Sequence, residues 1–130
     1  MKQFLTFVNA GPLQPAVAVA LGLPDAYFTG FRDALQSRRD RLVAGLTDAG
    51  FGVLPSEGTY FVTADITPLG GTDGVDFCRT LPERCGVVAV PTQVFYDHQE
   101  AGRHLIRFAF CKREDVIDEA AQRLSKLSRP

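Results

Sequence analysis

The sequence lacks an excess of charge of either sign. Fourteen lysines and arginines face fifteen aspartates and glutamates, a net charge of −1, so no broad field is available to hold a phosphate backbone or an anionic membrane surface. This argues against a nucleic-acid partner and against a membrane partner. No apolar run approaches the roughly 18 to 20 residues of a spanning helix. The opening Met1-Lys2-Gln3-Phe4 has no separate basic and apolar regions of the kind a signal peptide needs, so the sequence reads as cytoplasmic. Metal ligands are scarce: the histidines are His98 and His104, and Cys78, Cys85 and Cys111 are odd in number without a Cys-x-x-Cys spacing, which is not a zinc site. A Cys78 to Cys85 bridge stays open at this level, but the expectation is reduced thiols packed as small hydrophobes. Neither Ser-His-Asp nor Cys-His chemistry can be argued from spacing, and no glycine-rich phosphate loop follows a strand and opens a helix. The residues alone therefore nominate no catalytic, metal or cofactor-holding side chain.

What is present is an ordinary globular composition, 45% hydrophobic and 22% charged over 130 residues, enough for one compact domain. Pro15 precedes the run Ala16-Val17-Ala18-Val19-Ala20-Leu21, and Gly22 can end it, so a short helix is expected over residues 13–21. That helix is apolar all round and needs cover on every side. Residues 24–49 carry the clearest helical period, with Phe28, Phe31, Leu35, Leu42 and Leu46 on a stripe, charge at 38–41, and Gly50 suited to the left-handed position beyond the end. At about 1.5 Å per residue it reaches roughly 39 Å, a length natural for a helix that links two bodies.

After Gly50 the period changes. Strands are expected over residues 51–54, 59–65, 87–90 and 105–110, with a loop at 67–72 and a helix around Val75 to Leu81 that Pro82 and Gly86 shorten. A last helix spans residues 114–127, with Glu114 and Asp115 at its positive end. The order α, α, β, β, α, β, β, α implies an α/β fold of the α+β kind: a two-layer sandwich in which helices cover one face of a small mixed sheet.

One residue stands out. In His104-Leu105-Ile106-Arg107-Phe108-Ala109-Phe110, alternation places Ile106, Phe108 and Phe110 on one face and Leu105, Arg107 and Ala109 on the other. A guanidinium in the middle of an apolar strand is costly unless an anion pairs with it, and its planar fork matches a carboxylate. Arg107 is therefore a ligand-binding candidate, a partner of an internal acid, or a solvated arginine on a wet face. Gly58-Thr59-Tyr60-Phe61 can place an aromatic in a pocket, although aromatics on strands are more often core. Lys112 is expected to be solvated at the strand's end.

Four blocks, in order, carry a resemblance. Gln3-Phe4-Leu5-Thr6-Phe7 with Pro12-Leu13-Gln14-Pro15-Ala16, then Pro55-Ser56-Glu57-Gly58-Thr59-Tyr60-Phe61, then Gly86-Val87-Val88-Ala89-Val90-Pro91 with Val94-Phe95-Tyr96, then Ile106-Arg107-Phe108-Ala109-Phe110-Cys111-Lys112. Together they resemble the C-terminal part of class I/II pyridoxal-phosphate aminotransferases, in the branch of kynurenine, glutamine, methionine and N-succinyldiaminopimelate aminotransferases. The resemblance implies the C-terminal domain of the aspartate-aminotransferase fold type. Residues 1–23 would be a remnant of the large cofactor domain, 24–49 the linking helix and 50–130 the small domain. It implies that Arg107 grips the α-carboxylate of an amino-acid or 2-oxo-acid substrate, and that the chain forms a homo-oligomer or associates with a large domain. It also implies that the Schiff-base lysine, the phosphate cradle, the stacking aromatic and the aspartate at the pyridine nitrogen lie N-terminal to the matching part. The lysines here are Lys2, Lys112 and Lys126, none in the matching position. Pyridoxal phosphate is thus the family's cofactor, with none expected on this chain alone, and transamination is expected of the family but not of the isolated chain. The competing reading is a non-enzymatic carboxylate-binding or interaction module derived from the small domain.

Overall fold

Proline and glycine set most of the element boundaries. In the computed structural model, which describes residues 11–127, a turn of 3₁₀ helix at Gly11–Leu13 leads into α1 (Gln14–Leu21), with Pro15 in its first turn. The N–H of Gly22 closes that helix on the carbonyls of Ala18 and Val19, both at 3.1 Å. No residue of α1 is buried. The first block of the resemblance, residues 3–7, lies outside the described residues, as do Lys2 and residues 128–130.

Helix α2 (Asp25–Asp48) is the long helix that the periodicity predicts. Its end is a Schellman arrangement: Gly50, at φ 92°, donates to the Thr47 carbonyl at 3.0 Å, and Phe51 donates to Leu46 at 3.1 Å. The chain divides by packing between Asp33 and Ala34, within this helix, into two compact units. In the N-terminal unit the rings of Tyr27 and Phe28 meet edge to face at 5.5 Å.

The C-terminal unit holds the rest of α2 and strands β1 (Gly52–Val53) and β2 (Phe61–Asp65). Helix α3 (Gly74–Cys85), strands β3 (Val90–Pro91) and β4 (Leu105–Ala109), and helix α4 (Glu114–Leu124) complete it. The sheet runs in the order β1-β2-β4-β3. Every neighbouring pair is antiparallel, which corrects the expected mixed sheet; strand direction depends on how the chain crosses over, and that leaves no trace in residue periodicity. The two-layer sandwich and the order of helices and strands are as expected.

On one sheet face Val62, Ala64, Ile106 and Phe108 are buried against Leu42 and Leu46 of α2, Phe77 and Leu81 of α3, and Ile117 and Leu124 of α4. Phe51 joins this core by edge-to-face contacts with Phe77 at 6.1 Å and Phe108 at 5.7 Å. Helices α2 and α4 approach so closely that a Cβ built on Gly45 would stand 2.4 Å from the Ala121 methyl. Arg41 of α2 secures the same seam, donating to both oxygens of Asp118 at 2.8 and 3.0 Å and to Glu114 at 3.2 Å.

Strands β1, β2 and β4 are each shorter than the runs 51–54, 59–65 and 105–110 expected for them, and three further boundaries differ from the sequence reading. Helix α3 runs through Pro82 to Cys85, because a proline in the last turn removes one donor only and left-handed Gly86 (φ 71°) seals the end on the Pro82 carbonyl at 2.8 Å. The apolar run from Val87 enters the ladder only at Val90. The last helix stops at Leu124 rather than at 127. All three thiols are free; Cys78 and Cys85 are two turns apart on one helix, about 10 Å along the axis and beyond disulfide reach. Cys78 is half-buried, and burial pushes its thiol up to about 11. Cys111 is exposed, contrary to the packed role expected of it, because it follows the last rung of β4.

Candidate functional site

Arg107 occupies the middle of β4, where its rung partners are Thr63 on β2 and Val90 on β3. Since strand side chains alternate, this set lies on the face opposite Ile106 and Phe108, the face the helices do not cover. The diagonal neighbours on β2 are Phe61 and Asp65. Asp65 is the one acid in this set, and its Oδ1 is used by the backbone N–H of Thr67 at 2.7 Å. Among the described residues Arg107 forms no ion pair, whereas Arg39, Arg41, Arg103, Arg113 and Arg123 each have a carboxylate within 3.3 Å. The internal-acid reading of Arg107 therefore finds no partner among them.

The guanidinium is held by rings instead. Its Cζ lies 4.3 Å from the centroid of Phe61 and 4.0 Å from that of Phe95, the latter on a short 3₁₀ turn, Thr92–Phe95, that follows β3. Its Nε is shielded from solvent with no acceptor, and the hydroxyl of Thr92 is likewise buried without a partner. Both residues line one cleft of about 380 Å³, which also takes in Phe61, Thr63, Phe95 and the loop from Pro55 to Thr59.

That loop is braced from several sides. Ser56 Oγ donates to the Phe61 carbonyl at 2.9 Å, Arg39 donates to the Ser56 carbonyl at 3.0 Å, and Thr59 Oγ1 accepts from the Phe61 N–H at 3.2 Å. Thr59 holds φ at 59°, an outlier for a β-branched residue. A half-buried cation with unmet donor capacity, in a cleft with a fixed rim, is suited to a planar anion that can take two parallel N–H bonds.

Sequence reasoning found Arg107 and left Phe61 among the packing residues. The structure places Phe61 on the cleft side, with its ring 4.4 Å from that of exposed Tyr60. Its position two residues from Thr63, on the face opposite Val62 and Ala64, was the available signal. Phe95, quoted only within a block of the resemblance, and Thr92 were not assigned to the site, because their approach to Arg107 depends on how the turn after β3 folds back. Lys112 is exposed, as expected.

The model of the family "Aminotransferase class I and II" matches residues 1–124: the chain belongs to that family. It is 49% identical, over 98% of its length, to a probable N-succinyldiaminopimelate aminotransferase of Mycobacterium tuberculosis, of which it covers 34%. It is 36% identical over the same share to a methionine aminotransferase of Escherichia coli, covering 33% of it. The solved structure of N-succinyldiaminopimelate aminotransferase from Mycobacterium tuberculosis superposes on 98% of the chain with a TM-score of 0.88 at 52% identity, using 33% of that protein. The chain thus spans about a third of the length of the curated relatives it matches.

Pyridoxal phosphate is this family's cofactor, and the described residues do not fit it. The Arg107 cleft contains no lysine. Lys126 is exposed. Lys112 borders a second cleft of about 300 Å³ whose walls include Val87, Val88 and Val116. The arginine there, Arg123, is committed to Glu119 at 2.5 Å and to the Gly86 carbonyl at 3.1 Å.

Proposed function

We propose that the chain is the substrate-carboxylate-binding part of a pyridoxal-phosphate-dependent aminotransferase, a transferase that moves an amino group between an amino acid and a 2-oxo acid. Arg107 is the receptor for the α-carboxylate. The observation that carries this reading is the Arg107 guanidinium itself, flanked by two rings, unpaired with any acid among the described residues and lining a cleft. Residues 1–23 belong with the cofactor domain, 24–49 link the domains and 50–130 form the small domain; α1, apolar after Gln14 and unburied, supports a covering partner, either that domain or a second copy.

The isolated chain does not transaminate, because none of its described lysines stands where an amine could hold the cofactor against the substrate bound at Arg107. Trapping with pyridoxal phosphate and borohydride, followed by peptide mapping, gives only scattered adducts; modification concentrated on one lysine would refute this. The absence of lysine from the cleft also favours a second reading, a carboxylate-binding module without catalysis.

Titration with pyruvate, with pyruvamide as the uncharged control, tests what both readings share. In the isotopically labelled chain pyruvate perturbs Arg107, Thr63 and Phe95, pyruvamide does not, and Arg107→Leu abolishes the response. Equal responses to the acid and the amide would rule out a carboxylate receptor. Joining the chain to a cofactor domain separates the two readings: Arg107→Leu in the active fusion lowers kcat/KM for α-carboxylate substrates by about a hundredfold or more.

A further inference from the structure

We propose that Phe95, together with Phe61, is a positioning residue for Arg107: the rings fix the plane of the guanidinium so that its N–H edge is set for an incoming carboxylate. This rests on the carboxylate-receptor reading above and assigns a task to residues that do not themselves touch the substrate.

Guanidinium has two kinds of surface. Its faces are weakly hydrated and stack on aromatic rings, while its edge carries the N–H donors that a carboxylate takes in the plane. A carboxylate partner inside the protein would fix the arginine by consuming edge donors, leaving fewer for a ligand. Rings at 4.0 and 4.3 Å from Cζ hold it without accepting any of its N–H groups. The two rings come from different elements, Phe61 from β2 and Phe95 from the turn after β3, so the arrangement is specified twice.

Phe95 is the informative member. It is 58% exposed and absent from the core, so its burial elsewhere in the fold does not account for where it sits. The turn that carries it is held in place independently: the Tyr96 N–H bonds the Gln93 carbonyl at 3.1 Å, and the Tyr96 ring lies so close to Gly102 that an added Cβ there would stand 2.9 Å from it. The shielded Nε, without an acceptor, is what a guanidinium covered by rings and not by hydrogen bonds would show.

The test uses the full chain with nitrogen-labelled arginine. Phe95→Leu keeps an apolar side chain and removes the ring; Phe95→Trp keeps a ring of stronger cation attraction. In Phe95→Leu the Arg107 Nε–H exchanges with water at a rate approaching that of a free arginine, and pyruvate binds about two- to fivefold more weakly, the loss expected for one cation–π contact. Phe95→Trp retains both the protection and the affinity. Either change without the other, or no rescue by tryptophan, overturns the positioning role. If Phe95→Leu behaves as wild type while Arg107→Leu abolishes binding, the positioning role falls and the receptor stands. If the wild-type chain shows no preference for pyruvate over pyruvamide, the receptor falls and the positioning role with it.

Discussion

The two faces of the sheet are built from the same strands and serve opposite ends. Alternate residues of β2 and β4 point one way into a core closed by three helices, where Val62, Ala64 and Ile106 have no accessible surface. The intervening residues, Phe61, Thr63 and Arg107, point the other way into an open cleft. One face is satisfied by the protein itself. The other holds a cation for which the described residues provide rings and no counter-charge. A single-residue register therefore separates what keeps the unit folded from what it leaves on the open face.

Substitutions on the covered face should have the largest effect. Ile106→Ala leaves a cavity that the packed helices cannot fill, and denaturant melts should show a loss of about 2 to 5 kcal/mol. Next is the helix seam. Gly45→Ala puts a methyl into the Ala121 methyl, and the overpacking outweighs the better helix propensity of alanine, with a loss of about 1 to 3 kcal/mol. The double variant Gly45→Ala, Ala121→Gly should regain much of that loss, and a melt that shows none would mean the seam is not the cause.

Arg107→Leu belongs to the other face and should break the comparison if the faces are not separate. It removes two ring contacts, each about 0.5 to 1 kcal/mol, and relieves a shielded N–H without an acceptor. Stability should stay within about 1 kcal/mol of wild type while pyruvate binding disappears. A loss of about 3 to 5 kcal/mol would signal an internal ion pair.

The smallest effect concerns Asp73, which caps α3 by accepting from the N–H groups of Val75 at 2.9 Å and Asp76 at 3.2 Å. The Asp76 amide foremost, then the Val75 amide and Arg103, hold its carboxyl below the usual value of 3.8, with desolvation opposing them. A depressed carboxylate contributes stability above its unfolded pKa, near pH 4, and that contribution fades as pH falls through the lower folded value. Asp73→Asn keeps a good cap without the charge. Its small deficit in thermal melts should be present at neutral pH and vanish in acid.

Much of this was legible in residue order. The alternation in Leu105 to Phe110 separated Arg107 from the core residues correctly, and the helical stripe found Leu42 and Leu46, both buried. Phe28 and Phe31 share that stripe yet are exposed, because periodicity shows which side chains share a face and not what lies against it. The run from Val87 was read as a strand from its composition, but a ladder needs a partner in register, and that begins only at Val90. The ring of Phe95 over Arg107 joins residues twelve apart through a turn and a second 3₁₀ segment, Gln99–Gly102, a tertiary placement that no local pattern records.

Thr59 gives the open face a further property. A β-branched residue held in left-handed backbone is energetically uphill and persists only where neighbouring contacts over-determine it, as the bonds of Ser56, Arg39 and its own hydroxyl do here. A rim tied down in this way has already lost its conformational entropy when the chain folds, so an arriving anion need not order it. On the carboxylate-receptor reading proposed for Arg107, recognition at this cleft resembles a key entering a rigid keyhole more than a loop closing over its guest, and association should be fast and little slowed by cooling.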